Sequence, residues 1–327
     1  MLIKQRISEG GTTIMQNTAR KGNALLGSVI KRTNIRKTWP LWLMMLIPLG
    51  ALILFQYVPM AGLRLAFVKY NPTKGIWGSQ WVGLKYFDKL FSTVKFWTII
   101  RNTVVIAVEK MAANLFFSLL FAILLTEIRS KTASKFFQSV MLFPWFVSWI
   151  ILSTIFKSVF SLDGPVNMLL TTLGFEPVPF FSSNGVFRAL LVLTDTWKGM
   201  GYNMVIFITA IYAIDPGLYE AATVDGANKF QQKVHITLPC IAPMIVLRLI
   251  LSIGGILSAG SDQILTLYNS SVYDTAEIID TYVYKIGIES AQYSLATAVG
   301  IFKSVIGGIL IIFSYMLAER VTNYRIF

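Results

Sequence analysis

The chain has 327 residues, of which 55% are hydrophobic and only 14% charged. An ordinary soluble domain carries roughly 25% charged residues to cover its core, so this composition excludes one and predicts a polytopic membrane protein. Lys and Arg number 29 against 16 Asp and Glu, a net charge of +13, and the topology turns on where that surplus sits.

Residues 1–37 are polar and basic, with Glu9 their sole acid, and are expected to form a cytoplasmic tail. Thr38 to Leu63 then holds 26 positions without Lys, Arg, Asp or Glu. About 20 apolar residues cross a bilayer as a helix, so a first span is predicted at 40–59, bent at Pro48. It starts too far in, and runs too long, for a cleaved secretory signal, so no such signal is expected.

Residues 60–95 are mixed, with turn signals at Asn71-Pro72, Gly75, Gly78 and Gly83. Their aromatics, among them Tyr70, Trp77, Trp81 and Phe91, suggest a segment at the membrane interface. A second span follows at 96–127, carrying Arg101, Glu109 and Lys110. Between Lys135 and Lys157 lie 21 uncharged residues, the third span. Residues 158–188 return to loop character, and their apolar stretch Val166–Leu173 is too short to cross. A fourth span is predicted at 187–213, a polar insertion at 214–239, and a fifth span at 241–260. An acidic external loop at 261–290 leads to a sixth span at 291–318. The expected architecture is all-α, with a basic tail at 1–37 and one membrane domain at 38–327, both termini on one face.

With the N-terminus inside, cytoplasmic segments hold 15 Lys and Arg against 6 acids, external segments 9 against 8, and the spans 5 against 2. The resulting net charges are +9, +1 and +3, in the direction of the positive-inside rule. The 60–95 segment runs against it, with Arg64, Lys69, Lys74, Lys85, Lys89 and Lys95 outside. Most of the surplus is thus a topology signal, and it gives no reason to invoke nucleic acid.

Ionisable groups inside a span face the bundle interior or a watery cavity. Asp195 and Lys198 stand i,i+3 and could pair. With Trp197, Tyr202 and Asn203 they make a candidate pore lining suited to hydroxyl-rich ligands. The other reading places them at the outer headgroups, Lys198 snorkelling and Trp197 anchoring. Glu109 and Lys110 face different directions and suit packing or partner contact, while Arg248 and Lys303 could sit nearer the span boundaries. Cys240 and His235 are each the sole residue of their type, which excludes an internal disulfide or a Cys/His zinc cluster.

The insertion at 214–239 is the informative segment. Asp215 can cap a helix whose first residue is Pro216, and Gly226 permits the positive φ of a turn. A second helix is expected over 227–237, stopping ahead of Pro239. The product is a helix-turn-helix knob in which Ala221 and Ala222 permit close approach and Glu220 offers a carboxylate. Phe230 and Val234, i,i+4, could anchor the second helix on the bundle or on a partner.

The full spacing reads Glu220-Ala221-Ala222, three residues, Gly226, nine residues, Ile236-x-Leu238-Pro239. It resembles the EAA motif of inner-membrane permeases in binding-protein-dependent ABC transporters. Looser likenesses to the polysaccharide- and alginate-type sugar permeases, and more distantly to the first maltose permease subunit, run from Tyr57-Val58-Pro59-Met60 to Gln292–Gly300. The resemblance implies a type I importer fold in which Glu220, Ala221, Ala222, Asp225 and Gly226 dock into a cytoplasmic ATPase. Ile236, Leu238 and Pro239 would fix the return into the fifth span. It also implies a second permease subunit, two ATPase subunits that bind ATP and Mg, an external solute-binding protein and an oligosaccharide substrate, with acidic ones such as an alginate oligosaccharide among the candidates. The bacterial cell membrane is the implied location, the inner membrane in a Gram-negative cell.

The chain has no GxxxxGK[ST] phosphate loop, so it is expected to hydrolyse no ATP and to hold no cofactor. A membrane scaffold or receptor, and a secondary transporter, are the competing classes. The latter lacks a convincing inverted repeat. A membrane enzyme is disfavoured because the spans offer no clustered His/Asp or Ser/His constellation.

Overall fold

The computed structural model describes residues 35–322, with side chains from Trp39 to Leu317. The expected basic tail, up to Asn34, lies outside the described residues. The chain divides into two compact units at Gly62/Leu63. In the first, a helix over Ile35–Leu52 accommodates Pro40 and Pro48 and passes into a π-turn at Ile53–Tyr57. Lipid-embedded helices tolerate such prolines where local π or 3₁₀ turns absorb the missing hydrogen bond.

The second unit is helical apart from a short antiparallel ribbon among the described residues, Val68 opposite Trp81 and Lys69 opposite Gln80. Its spine is the packed pair of helices Val94–Thr126 and Asn184–Tyr212. One core gathers Ile106, Phe187, Leu191, Ile264 and Ile278 around that pair. Another, further along both helices, gathers Ala122, Met204, Phe207 and Ile241. Lipid tails are as apolar as leucine, so close backbone approach and interhelical hydrogen bonds, more than apolar burial, hold such a bundle together. Gly201 shows the approach: a Cβ there would overlap the Met141 carbonyl oxygen on the neighbouring Lys131–Leu142 helix.

Among the described residues, four helices are long and apolar enough to cross a bilayer alone: Trp39–Phe67, Val94–Thr126, Lys229–Ile253 and Tyr293–Leu317. Six crossings result when each of two bent pairs counts as one span. The third span is where the structure departs most from the uncharged run 136–156. Lys131–Leu142 runs into a 3₁₀ turn at Phe143–Phe146, and Trp149–Val159 leaves at 101°. Pro144 lacks an N–H, and Ser148 starts the new helix by accepting from Ile151 N. Hydropathy sees neither event.

Two further corrections follow the insertion. The second knob helix does not stop ahead of Pro239. Lys229–Gln232 passes through a π-turn at Lys233–Thr237, Leu238 N bonding Lys233 O, and continues as Leu238–Ile253. The wider turn makes room for a ring that would otherwise strike the carbonyl four residues back. The span therefore ends at Ile253, earlier than the predicted 260.

Nor is 261–290 a solvated loop. It folds into short helices, including Ser261–Leu267 and Ile279–Tyr284, with Gln263, Glu277 and Ile278 buried. Glu277 survives burial through Lys95 at 3.0 Å and Lys285 at 3.4 Å, and Lys303 reaches Asp280 at 2.5 Å and Ser258 at 3.2 Å. Lys95 is thus one of the six outer cations answered by an internal acid. Lys303 is answered in the same way, as part of a cross-link between the last span and the 279–284 helix.

Gly201→Ala is expected to lower stability by about 1–3 kcal/mol through overpacking against Met141. Gly185→Ala on the same helix, where nothing lies within 4 Å, should be neutral. Thermal unfolding of the purified protein in detergent separates the two.

Candidate functional sites: a charged cavity and a helix-turn-helix knob

A cavity opens between the Val94–Thr126, Asn184–Tyr212 and Leu238–Ile253 helices and the break in the third span. Of the candidate lining residues, Asp195, Lys198, Tyr202 and Asn203 border it, together with Lys110, Asn114, Trp145 and Arg248. Trp197 does not; it stands edge-to-face on Phe156 with centroids 5.8 Å apart.

Lys198 neither snorkels nor pairs with Asp195. It is buried, and its Nζ donates to the carbonyls of Pro144 (3.1 Å), Trp145 (2.8 Å) and Val147 (2.6 Å). Pro144 O also accepts from Val147 N at 3.2 Å, whereas the carbonyls of Trp145 and Val147 are acceptors that the helix break releases. An ammonium group is well matched to them because the C-terminal end of a helix is its negative pole. Trp145, held there, stacks on Tyr202 with centroids 4.6 Å apart and planes 11° apart.

Asp195 pairs instead with Lys110 at 3.6 Å. Lys110 also donates to Ala259 O (2.8 Å) and to Gln263 Oε1, tying the second span to the turn after the fifth. Gly260 holds that turn at φ +72°, and a Cβ there would meet Lys110 Nζ at 2.6 Å. Arg248 lies well inside its helix rather than at a boundary. Its Nε (3.0 Å) and Nη2 (2.8 Å) share Asn203 Oδ1, and Nη1 donates to Ser252 Oγ at 2.6 Å.

The knob forms as its residues dictate. Asp215 accepts from Gly217 N at 2.9 Å ahead of the Pro216–Val224 helix, and Gly226 turns the chain at φ +81°. Glu220, Ala221, Asp225 and Gly226 are exposed, Ala222, Ile236 and Leu238 half-buried, and Pro239 exposed. Phe230 is 77% exposed among the described residues, so it is no anchor on the described bundle.

Three contacts that the EAA spacing does not announce make the knob rigid. Buried Gln232 donates to Thr223 Oγ1 (3.0 Å) and Ala227 O (3.2 Å), stapling one helix to the other. Tyr219 and Thr237 hydroxyls meet at 2.9 Å. Glu127, at the end of the second span, pairs with Lys233 and lies 4.0 Å from Lys229. Asn228 and Gln231 form a capping box, a local pattern readable from Asn-x-x-Gln.

Residues 114–323 match the family described as the binding-protein-dependent transport system inner membrane component. The chain belongs to that family. It is 40% identical over 281 residues to the polygalacturonan/rhamnogalacturonan transport system permease protein YteP of Bacillus subtilis (strain 168), covering 86% of this chain and 88% of that protein. Protein LplB of the same organism is 38% identical over 289 residues, covering 88% and 91%. A crystal structure of a bacterial ABC transporter involved in the import of the acidic polysaccharide alginate matches with TM-score 0.81 and 33% identity, over 88% of this chain and 98% of that one. A second alginate ABC transporter structure, in complex with an alginate pentasaccharide-bound periplasmic protein, matches with TM-score 0.81 and 32% identity, over 90% and 98%.

The expected fold, an all-α importer permease, is therefore the fold of this chain. Within this permease, sequence reasoning missed Lys110, Asn114, Trp145 and Arg248 as cavity residues. Periodicity could have found Lys110 and Asn114, which share a helix face at i,i+4. Arg248 is marked by its charge inside the fifth span, while nothing local marks Trp145.

Gln232→Ala leaves two acceptors unanswered, at a cost of about 1–2 kcal/mol. Amide exchange across 219–225 should quicken by about tenfold, as read by hydrogen–deuterium exchange.

Proposed function

We propose that this permease forms half of a transmembrane pore that imports an acidic oligosaccharide, driven by ATP hydrolysis in partner subunits. The observation that carries the substrate class is the cavity. Among the described residues, Lys110, Lys198 and Arg248 face Asp195 alone, a net charge of +2 beside the stacked Trp145 and Tyr202. Aromatic faces suit the apolar faces of sugar rings, and the surplus charge suits uronate carboxylates. The transport of polygalacturonan and alginate by YteP and the alginate transporter supports the same class.

A cavity of about 280 Å³ falls just below the ~300–1,000 Å³ of a complete ligand site. That fits a pore whose other half comes from a second permease subunit. The solute would arrive from an external binding protein, as the complex of the alginate transporter suggests.

The knob at 214–239 is the coupling element of this reading. It lies on the cytoplasmic face of a cell membrane, with both termini on that side. Glu220, Ala221, Ala222, Asp225 and Gly226 dock into one of two ATPase subunits, which bind the ATP and Mg. Ile236, Leu238 and Pro239 carry the movement into the span that holds Arg248. Three features support transmission without loss: the Gln232 staple, the Glu127–Lys233 pair and the unbroken run from Lys229 to Ile253. A knob that flexed would absorb the stroke.

Gly226→Val forces a β-branched residue into positive φ, and Glu220→Ala removes the docking carboxylate. Each should lower ATP-driven uptake in proteoliposomes by about tenfold, the equivalent of 1.4 kcal/mol of coupling, with the protein still inserted. Uptake by the permease without any ATPase would sink the coupling reading. A binding protein that takes only neutral sugars would sink the acidic one.

A further inference from the structure

The three cations of the cavity differ in how many hydrogen-bond donors they have left. An ammonium group has three N–H donors and a guanidinium five. All three on Lys198 are engaged, by Pro144, Trp145 and Val147. Those of Lys110 are engaged by Ala259, Gln263 and Asp195. Arg248 uses three, toward Asn203 and Ser252. Among the described residues one N–H on each of its Nη atoms has no acceptor.

The acceptors differ too. Lys198 is held by backbone carbonyls of a broken helix, and its release would leave those of Trp145 and Val147 without a protein donor among the described residues. Arg248 is held by the side chains of Asn203 and Ser252. Asn203 is itself fixed, its Nδ2 donating to Asn114 Oδ1 at 2.6 Å and Gly199 O at 3.2 Å. Gly199 allows this, since a Cβ there would overlap the Asn114 amide. The guanidinium is thus oriented by a rigid amide, with its remaining donors uncommitted.

We propose that Arg248 is the specificity-determining residue of the cavity, its two uncommitted N–H groups taking the carboxylate of a uronate ring, while Lys198 is a positioning residue. Lys198 acts through the carbonyls of the third-span break and so sets Trp145 against Tyr202. This assignment rests on the acidic-oligosaccharide reading above. It divides that reading's surplus charge: one cation reads the substrate, and two hold the walls. A site with hydrogen-bond donors committed to a carboxylate rejects the neutral analogue far more strongly than charge in a general field would.

The test compares uptake of trigalacturonate and its methyl ester by the complete importer in proteoliposomes. Each sugar is supplied at a concentration that saturates the binding protein. In the wild type the acid should be carried at least about tenfold faster. Arg248→Gln should erase most of that ratio by slowing the acid alone. Arg248→Lys keeps a charge but loses the fork, and should give an intermediate ratio. Lys198→Met should slow both sugars together and leave the ratio unchanged, because the aromatic wall serves either ring. A ratio unchanged in Arg248→Lys, or shifted in Lys198→Met, overturns the assignment even if Arg248→Gln fails to fold. A wild type that carries both sugars equally overturns the acidic reading itself, before any variant is compared.

Discussion

A helix broken inside a membrane bundle frees carbonyl groups that need donors from elsewhere in the chain, and much of this permease is arranged around that demand. The third span breaks between Phe146 and Trp149, and the ammonium group of Lys198 answers the freed carbonyls of Trp145 and Val147 and shares that of Pro144 with Val147 N. The solution fixes where the Asn184–Tyr212 helix must lie. That helix can come close enough because Gly201 has no side chain to strike Met141. With both in place, Trp145 stacks on Tyr202, and the cavity acquires an aromatic wall. Break, buried lysine, glycine and stack are one device rather than four features.

The same demand recurs elsewhere in the bundle. Residues 261–290 carry Gln263, Glu277 and Asp280, which hydropathy assigns to water. Each is answered from another helix: Gln263 by Lys110, Leu191 and Thr194, Glu277 by Lys95 and Lys285, Asp280 by Lys303. Replacing one partner of such a pair leaves the other uncompensated, which costs far more than the pair contributes when intact. The polar residues here act as cross-links between spans, since apolar contact gives little advantage over lipid.

The proposed function draws on both ends of this framework. The knob is stiff because Gln232 and the Tyr219–Thr237 pair close it on itself, and Glu127 ties it to the second span. The second span also carries Lys110 and Asn114 into the cavity. One helix therefore touches both sites, and another, Lys229–Ile253, runs from the knob to Arg248 without interruption. Movement at the knob and occupancy of the cavity share rigid parts, which is what mechanical coupling needs.

Local physics was legible in the chain alone. Hydropathy located most of the crossings, because the need for about 20 apolar residues is a property of each segment by itself. The knob was legible for the same reason: the Asp215 cap, Pro216 and the positive φ at Gly226 are settled within a few residues. What tertiary structure alone decided were the pairings. Lys198 finds its acceptors more than 50 positions earlier, at the Pro144 break, while Asp195, three residues before it, turns to Lys110. A charge in a span signals only that a partner must exist. Which partner it has depends on which backbones can approach, and that is set by small residues and helix breaks far away in sequence.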